Sequence, residues 1–318
     1  MIFSAKEVVN NVLVGNQEIK PIDSKTLQGL QDVLCEILVD IMKCCDELGI
    51  NVALCGGSCL GAVRHSGFIP WDDDLDIAFT REEWEIFKKG FERHLGVKYE
   101  MGAPGYNNKD CCFPWASIYL KDSELIGWLN LGMPYPKKIF VDVFVIENVS
   151  SFGLVRWFDG LMSPVFKYVA TSMLFYRYPN PLMREIFSST LKTRCYLIFR
   201  QMLGFVFSFV SHKTWVNLYD RFISRHNGES SLVTIPNGSR RYNGEMLQRD
   251  IFFPYSKGLF CGIHVLLPHN PDAYLRNMYG ANYMELPPIE KRDTHHIVTV
   301  KLPQRIMDNS RVYEEKEV

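Results

Sequence analysis

Residues 51–80 read NVALCGGSCLGAVRHSGFIPWDDDLDIAFT, and the fold is decided by the changes of character inside this stretch. Val52-Ala53-Leu54-Cys55 is an apolar run short enough for a buried strand. Gly56-Gly57 breaks it, and Ser58 stands where a helix N-cap belongs. Cys59 to Arg64 then fit about one or two helical turns, stopped near Gly67 and again at Pro70. After Trp71 the sequence becomes Asp72-Asp73-Asp74-Leu75-Asp76 and runs into Ile77-Ala78-Phe79. Side chains alternate along a strand, so the spacing puts Asp74 and Asp76 on one face and Leu75 and Ile77 on the other.

Two carboxylates on one face repel each other unless a cation lies between them. Mg²⁺ suits such a pair, because it takes hard oxygen ligands and completes its shell with substrate phosphates. Mn²⁺ is the other ion expected there. The glycine turn entering a helix offers free N–H groups and a positive helix end to a phosphate. The bland alternative is an acidic loop and an ordinary turn. In this order, a phosphate turn followed by a carboxylate clamp reads as a phosphoryl-transfer site.

A third carboxylate comes from Ile139 to Ile146, a run of β-branched and aromatic residues interrupted by Asp142. A lone Asp inside a central strand is costly to bury without a partner, so the expected role is a metal ligand or base beside Asp74 and Asp76. The alternative is a strand-end residue in solvent. Lys121 follows the preceding strand, as a contact to donor phosphate or as a solvated lysine.

The segment GGSCLGAVRHSGFIPWDDDLDIAF closely resembles the signature of the LicD family, a branch of the nucleotidyltransferase-fold superfamily that includes fukutin-related proteins. Gly56-Gly57-Ser58 and Asp74-Leu75-Asp76-Ile77 match the superfamily pattern, and Asp142 fits its later carboxylate. Tyr274-Leu275, Tyr279-Gly280, Leu286-Pro287-Pro288 and Lys291-Arg292 through His295-His296 look like the end of a LicD domain. For His295 and His296, a contact to substrate phosphate and a plain surface pair both stand.

The resemblance implies a phosphotransferase. A phosphorylated alcohol, phosphocholine above all, would pass from a CDP-linked donor to a hydroxyl of a cell-surface glycan such as lipopolysaccharide or teichoic acid, or of its lipid-linked precursor. On this reading Asp74, Asp76 and Asp142 hold metal or act as base. Gly56, Gly57 and Ser58 bind phosphate, and Arg64 neutralises the leaving nucleotide. A nucleotidyltransferase transferring NMP, and an inactive scaffold of the same fold, are the alternatives.

The 318-residue chain is long enough for a full core, and 47% hydrophobic with 22% charged residues is a globular composition. A net charge of −1 gives no field for collecting nucleic acid, so no nucleic-acid partner is expected. The nine cysteines have no zinc-ligand spacing and read as reduced thiols of a cytosolic protein. No signal peptide and no span of roughly 20 apolar residues is apparent, so the protein is expected to be cytoplasmic, or peripheral at the inner face of the membrane.

The chain divides into a catalytic core over 1–150, a helical insertion over 151–225 and a C-terminal part over 226–318. In the first, residues 1–22 read as a strand or hairpin, Asp23–Leu48 as a long amphipathic helix ended by Gly49, and Arg81–Leu95 as a second. The insertion interleaves aromatic residues with Arg and Lys; its helices either pack on the catalytic sheet or meet a glycan or lipid-linked acceptor. The fold class expected is α+β, a nucleotidyltransferase-type mixed sheet flanked by helices with an aromatic-rich helical insertion.

Overall fold

The structure, a computed structural model, describes residues 22–106, 113–127, 131–226, 228, 230–288, 292 and 297–303. The strand expected over 1–22, the pair His295-His296 and the charged tail therefore lie almost wholly outside the described residues. The opening helix α1 (Ser24–Leu48) is capped by Asp23, whose carboxylate accepts from the Thr26 N–H at 2.9 Å, and closed by Gly49 at φ 67°. Leu30, Val33, Leu34, Ile37, Leu38 and Ile41 form its buried face, as the three- and four-residue spacing requires.

Strand β1 (Ala53–Leu54) is followed by helix α2 (Gly56–His65), strand β2 (Asp76–Thr80) and helix α3 (Arg81–His94). Thr80 and Glu83 form a reciprocal capping box at the start of α3. Strands β3 (Tyr99–Gly102), β4 (Ala116–Leu120), β5 (Glu124–Gly127) and β6 (Phe140–Asn148) follow. The insertion holds α4 (Gly153–Arg177), α5 (Pro181–Ser188), α6 (Leu191–Val206) and α7 (His212–Ile223), with Pro at the first turn of α5. The remainder is β7 (Leu232–Thr234), α8 (Arg241–Gly244), β8 (Leu247–Gln248), α9 (Arg249–Phe252), β9 (Ser256–Phe260), β10 (Ile263–Leu267), α10 (Pro271–Tyr279) and β11 (Ile297–Lys301).

Among the described residues the main sheet has nine strands, in the order β3-β4-β6-β2-β1-β10-β9, with β7 and β8 continuing from β6. It is mixed: β2 runs parallel to β6 and β1 parallel to β10, while β1–β2, β4–β6 and β9–β10 are antiparallel. The fold is α+β. The core sits between α1, α3 and the sheet, where Phe79, Trp84, Phe87 and Phe91 form a chain of ring contacts 4.9 to 6.0 Å apart. Helix α4 packs on α6 and α7, and α5 on α6. No helix among the described residues is long and apolar enough to cross a membrane.

Arg81 joins core to insertion. Its guanidinium forms a forked pair with Glu147 on β6 and reaches Asp220 on α7 at 3.0 Å. Glu147 is only 2% exposed. We expect Arg81→Met to lower the unfolding free energy by about 3–5 kcal/mol, because it leaves a buried carboxylate uncompensated. Arg81→Met with Glu147→Gln should recover much of that loss. Urea unfolding at neutral pH measures it; a loss below about 1 kcal/mol would mean that the pair behaves as a surface one.

Candidate active site

Asp76 opens β2 and is gripped by the turn before it. Its N–H donates to the Ser58 hydroxyl at 2.8 Å, and its carbonyl accepts from the Cys55 N–H at 3.1 Å. Gly56, at φ +51°, lies so close that a Cβ there would stand 2.6 Å from Asp76 Oδ2. Glycine is thus required twice, by the left-handed backbone and by the carboxylate. Parallel pairing of β2 with β6 sets Asp76 directly opposite Asp142. On the other side of β6, Ser117 is opposite Asp142, and its hydroxyl donates to Asp142 Oδ1 at 2.6 Å; the Trp115 indole N–H donates to the same oxygen at 3.2 Å. Asp142 is interior to its strand, not at an end in solvent.

Asp74 departs from the expectation. Strand β2 begins only at Asp76, so Asp74 does not alternate with it on one pleated face; it lies in the preceding coil, where Asp72, Asp73 and Asp74 bring carboxylate oxygens within 4.8 Å of one another. Gln31 of α1 secures this loop by donating to the Asp72 carbonyl at 2.8 Å. Two acidic groups result, the in-register pair Asp76/Asp142 and the loop triplet. All their donors are hard carboxylate oxygens, a set that fits Mg²⁺ or Mn²⁺.

The phosphate turn is also modified. Helix α2 begins at Gly56 with Cys55 as its cap, so Ser58 is inside the first turn and its hydroxyl is committed to Asp76. The Gly56 N–H donates to the Tyr274 hydroxyl at 2.9 Å. Of the N–H groups expected to face a phosphate, those of Gly57 and Ser58 have no partner within the helix. A Cβ on Gly57 would come 3.1 Å from Asp72 Oδ2, which puts the acidic loop over this same turn.

Arg64 donates to the carbonyls of Tyr283 at 2.9 Å and Glu285 at 3.3 Å. Burial lowers its pKa, with Tyr279 and Asp72 opposing, so it stands at the rim of the acidic loop. Lys121 is engaged elsewhere: its amine donates to the Gly96 carbonyl, four residues and roughly 13 Å along the strand from Ser117.

Several groups escaped the sequence reading. Tyr279, at the end of α10, is 43% exposed, yet its hydroxyl sits in the crowded part of the site, where desolvation first and then Asp76 and Asp72 raise its pKa. Tyr274 and Tyr279 stand in the C-terminal motif, but nothing local revealed that they reach the glycine turn. Arg292 stacks 4.2 Å over the Trp71 ring, beside the acidic loop. Lys167 of α4 lies 5.6 Å over the Trp115 ring and donates to the Asn237 carbonyl at 2.9 Å. Its burial pulls its pKa down to about 8. Glu245, 2% exposed, accepts from the Arg240 N–H at 3.1 Å, and burial raises its pKa to about 7 despite Lys167 nearby. The Cys55 thiol is pushed up by burial and then by Asp76, Glu245, Cys59 and Asp142. Asp76, Glu245 and Asp142 thus lie around the buried Cys55.

The fold is a mixed α+β sheet that carries a glycine turn wrapped on a carboxylate strand. Residues 49–114 match the family profile described as LicD/FKTN/FKRP, nucleotidyltransferase domain. The chain is 24% identical over 272 residues, 86% of its length and 96% of the relative's, to the lipopolysaccharide cholinephosphotransferase LicD of Haemophilus influenzae. It is 29% identical over 116 residues, 34% of its length and 42% of the relative's, to an uncharacterised protein of Rickettsia prowazekii. The likeness to LicD proteins is thus shown over most of the chain and not in the signature alone.

Gly56→Ala should destabilise the protein by about 1–3 kcal/mol through its left-handed backbone alone, before any displacement of Asp76. Gly57→Ala, with no positive φ, should cost less. Paired thermal unfolding curves test the order, and equal losses would contradict the close contact at Gly56.

Glu245 predicts a pH effect. Its folded pKa of about 7 lies above the ordinary 4.5, so the folded protein keeps a proton that the unfolded chain releases. Its contribution is complete below pH 4.5 and is lost as pH rises towards 7. Glu245→Gln should flatten this fall and leave the variant more stable than the parent above pH 7. Denaturant midpoints across the range measure it; parallel curves would contradict the assignment.

Proposed function

We propose that this protein is a LicD-like phosphotransferase that moves a phosphorylated alcohol, phosphocholine foremost, from a CDP-linked donor to a hydroxyl of a cell-surface glycan or its lipid-linked precursor. The observation that carries the proposal is the in-register pair Asp76/Asp142 held against the Gly56 turn. The relative's activity on lipopolysaccharide, over 86% of this chain, supplies the substrate class. Asp76, with the Asp72–Asp74 loop, would hold Mg²⁺. Bound there, the ion would neutralise the donor diphosphate and orient it.

The chain's own groups would do the rest. The Gly57 and Ser58 N–H groups bind diphosphate oxygens at the positive end of α2. Arg64, at the rim of the acidic loop, faces charge that grows on the departing nucleotide. Asp142, oriented by Ser117 and Trp115, takes the proton from the acceptor hydroxyl. The acceptor oxygen bonds to the phosphorus that carries the alcohol, the bond from that phosphorus to the CMP oxygen breaks, and CMP leaves with the electron pair. The catalytic core, the insertion and the C-terminal part divide the work as donor site, acceptor side and lid of the glycine turn.

Asp76→Asn and Asp142→Asn are each expected to cut transfer by about a hundredfold or more while the protein stays folded. Incubation with CDP-choline, CDP-ribitol or CDP-glycerol, Mg²⁺ and a deacylated glycan acceptor should release CMP. Pyrophosphate release from a nucleoside triphosphate would instead favour transfer of NMP. No turnover with any donor, together with no thermal shift, would point to an inactive scaffold.

A further inference from the structure

Helix α6 breaks the ordinary rule for a helix on a protein surface. Its buried side faces α4 and α5: Gly204 packs against the Ser172 carbonyl, and Arg200 is enclosed between Tyr168 and Phe175 at 4.1 and 4.5 Å. The opposite side is apolar as well. Ile198, Phe199, Met202, Phe205 and Val206 recur at helical spacing, and Phe209 continues the line past the C-terminus. Phe199 is 56% exposed, Met202 and Phe205 are each 62%, and Phe209 is 74%. A helix whose outer face is exposed aromatic and aliphatic surface has a partner other than water.

Charge indicates which partner. From Gly160 to Tyr219 the sequence has a single acidic residue, Glu185, against seven Lys and Arg, of which Arg177, Arg184, Lys192 and Arg194 are exposed, although the whole chain has 36 acidic residues and 35 Lys and Arg. By helical geometry Lys192 and Arg194, both exposed, fall on opposite flanks of the apolar stripe. An apolar stripe bordered by cations is the pattern of a helix lying in the headgroup region of a bilayer, with rings in the acyl boundary and cations on lipid phosphates. A second protein copy with this same basic surface would meet it with like charge.

We infer that α6 and the Phe207–Phe209 turn form a docking surface for an anionic membrane, on which the protein lies without spanning it. The inference does not depend on the phosphotransferase reading, since its test reads binding and not turnover.

The full chain is mixed with extruded vesicles of phosphatidylcholine alone, or of phosphatidylcholine with phosphatidylglycerol, and the bound fraction is read by flotation. Binding to the anionic vesicles, weakened by raising salt because headgroup attraction is screened, is expected. Met202→Gln with Phe205→Gln should lower partitioning by about tenfold or more, with an unchanged melting temperature because both side chains are exposed. Lys192→Glu with Arg194→Glu should abolish the preference for anionic lipid. The inference is overturned if the parent does not float with anionic vesicles, or if the Gln variant binds as well as the parent. It is also overturned if light scattering shows a dimer that the Gln variant dissolves while vesicles bind neither protein.

Discussion

The contact between Asp76 and the turn at 55–58 is the constraint on which the site depends. Every part of that aspartate is engaged: its N–H by Ser58, its carbonyl by Cys55, and one carboxylate oxygen by the bare Cα of Gly56. A Cβ at Gly56 would crowd the Asp76 carboxylate, and the parallel register sets Asp76 beside Asp142. The Tyr274 hydroxyl holds the turn from the far side. The C-terminal helix α10 is thus part of the site's foundation, although more than 200 residues separate it from the turn in sequence.

Around that contact the protein concentrates negative charge in a place where water is scarce. Asp76, Asp142 and Glu245 all raise the Cys55 thiol pKa, and Glu245 itself is held near neutrality by burial. Such a concentration costs stability without cations. Lys167 supplies one from the insertion, lying over Trp115, whose indole N–H donates to Asp142. The helical insertion therefore reaches the second layer of the site through α4, while its outer helix α6 faces away from the catalytic sheet. One insertion serves two surfaces because α4 meets Trp115 on one side and α6 on another, while the outer face of α6 stays exposed.

Helix packing separates the insertion's arginines into buried and exposed ones. Arg200 is 5% exposed and donates to Thr171 at 2.7 Å while stacked between rings. It is a core cation that binds α4 to α6, not a contact for an acceptor. Arg194 remains at the surface.

What the sequence determined by itself is whatever short-range chemistry controls. Gly-Gly before a helix, Asp76 at the head of an apolar strand and a lone Asp in another each announce their place. The caps at Asp23, Thr80 and Gly49 follow from local hydrogen bonding, and the α+β class follows from hydrophobic period. The tertiary structure decided what depends on distant partners. It moved Asp74 out of the strand and into the Asp72–Asp74 loop, spent the Gly56 N–H on Tyr274, and turned Ser58 from a cap into a brace for Asp76. It also drew Glu245, Lys167, Tyr279 and Arg292 towards the carboxylates and took Lys121 away to Gly96. The reason is physical: burial and pairing are set by which strands lie side by side, and neither is written in the spacing of residues along one segment.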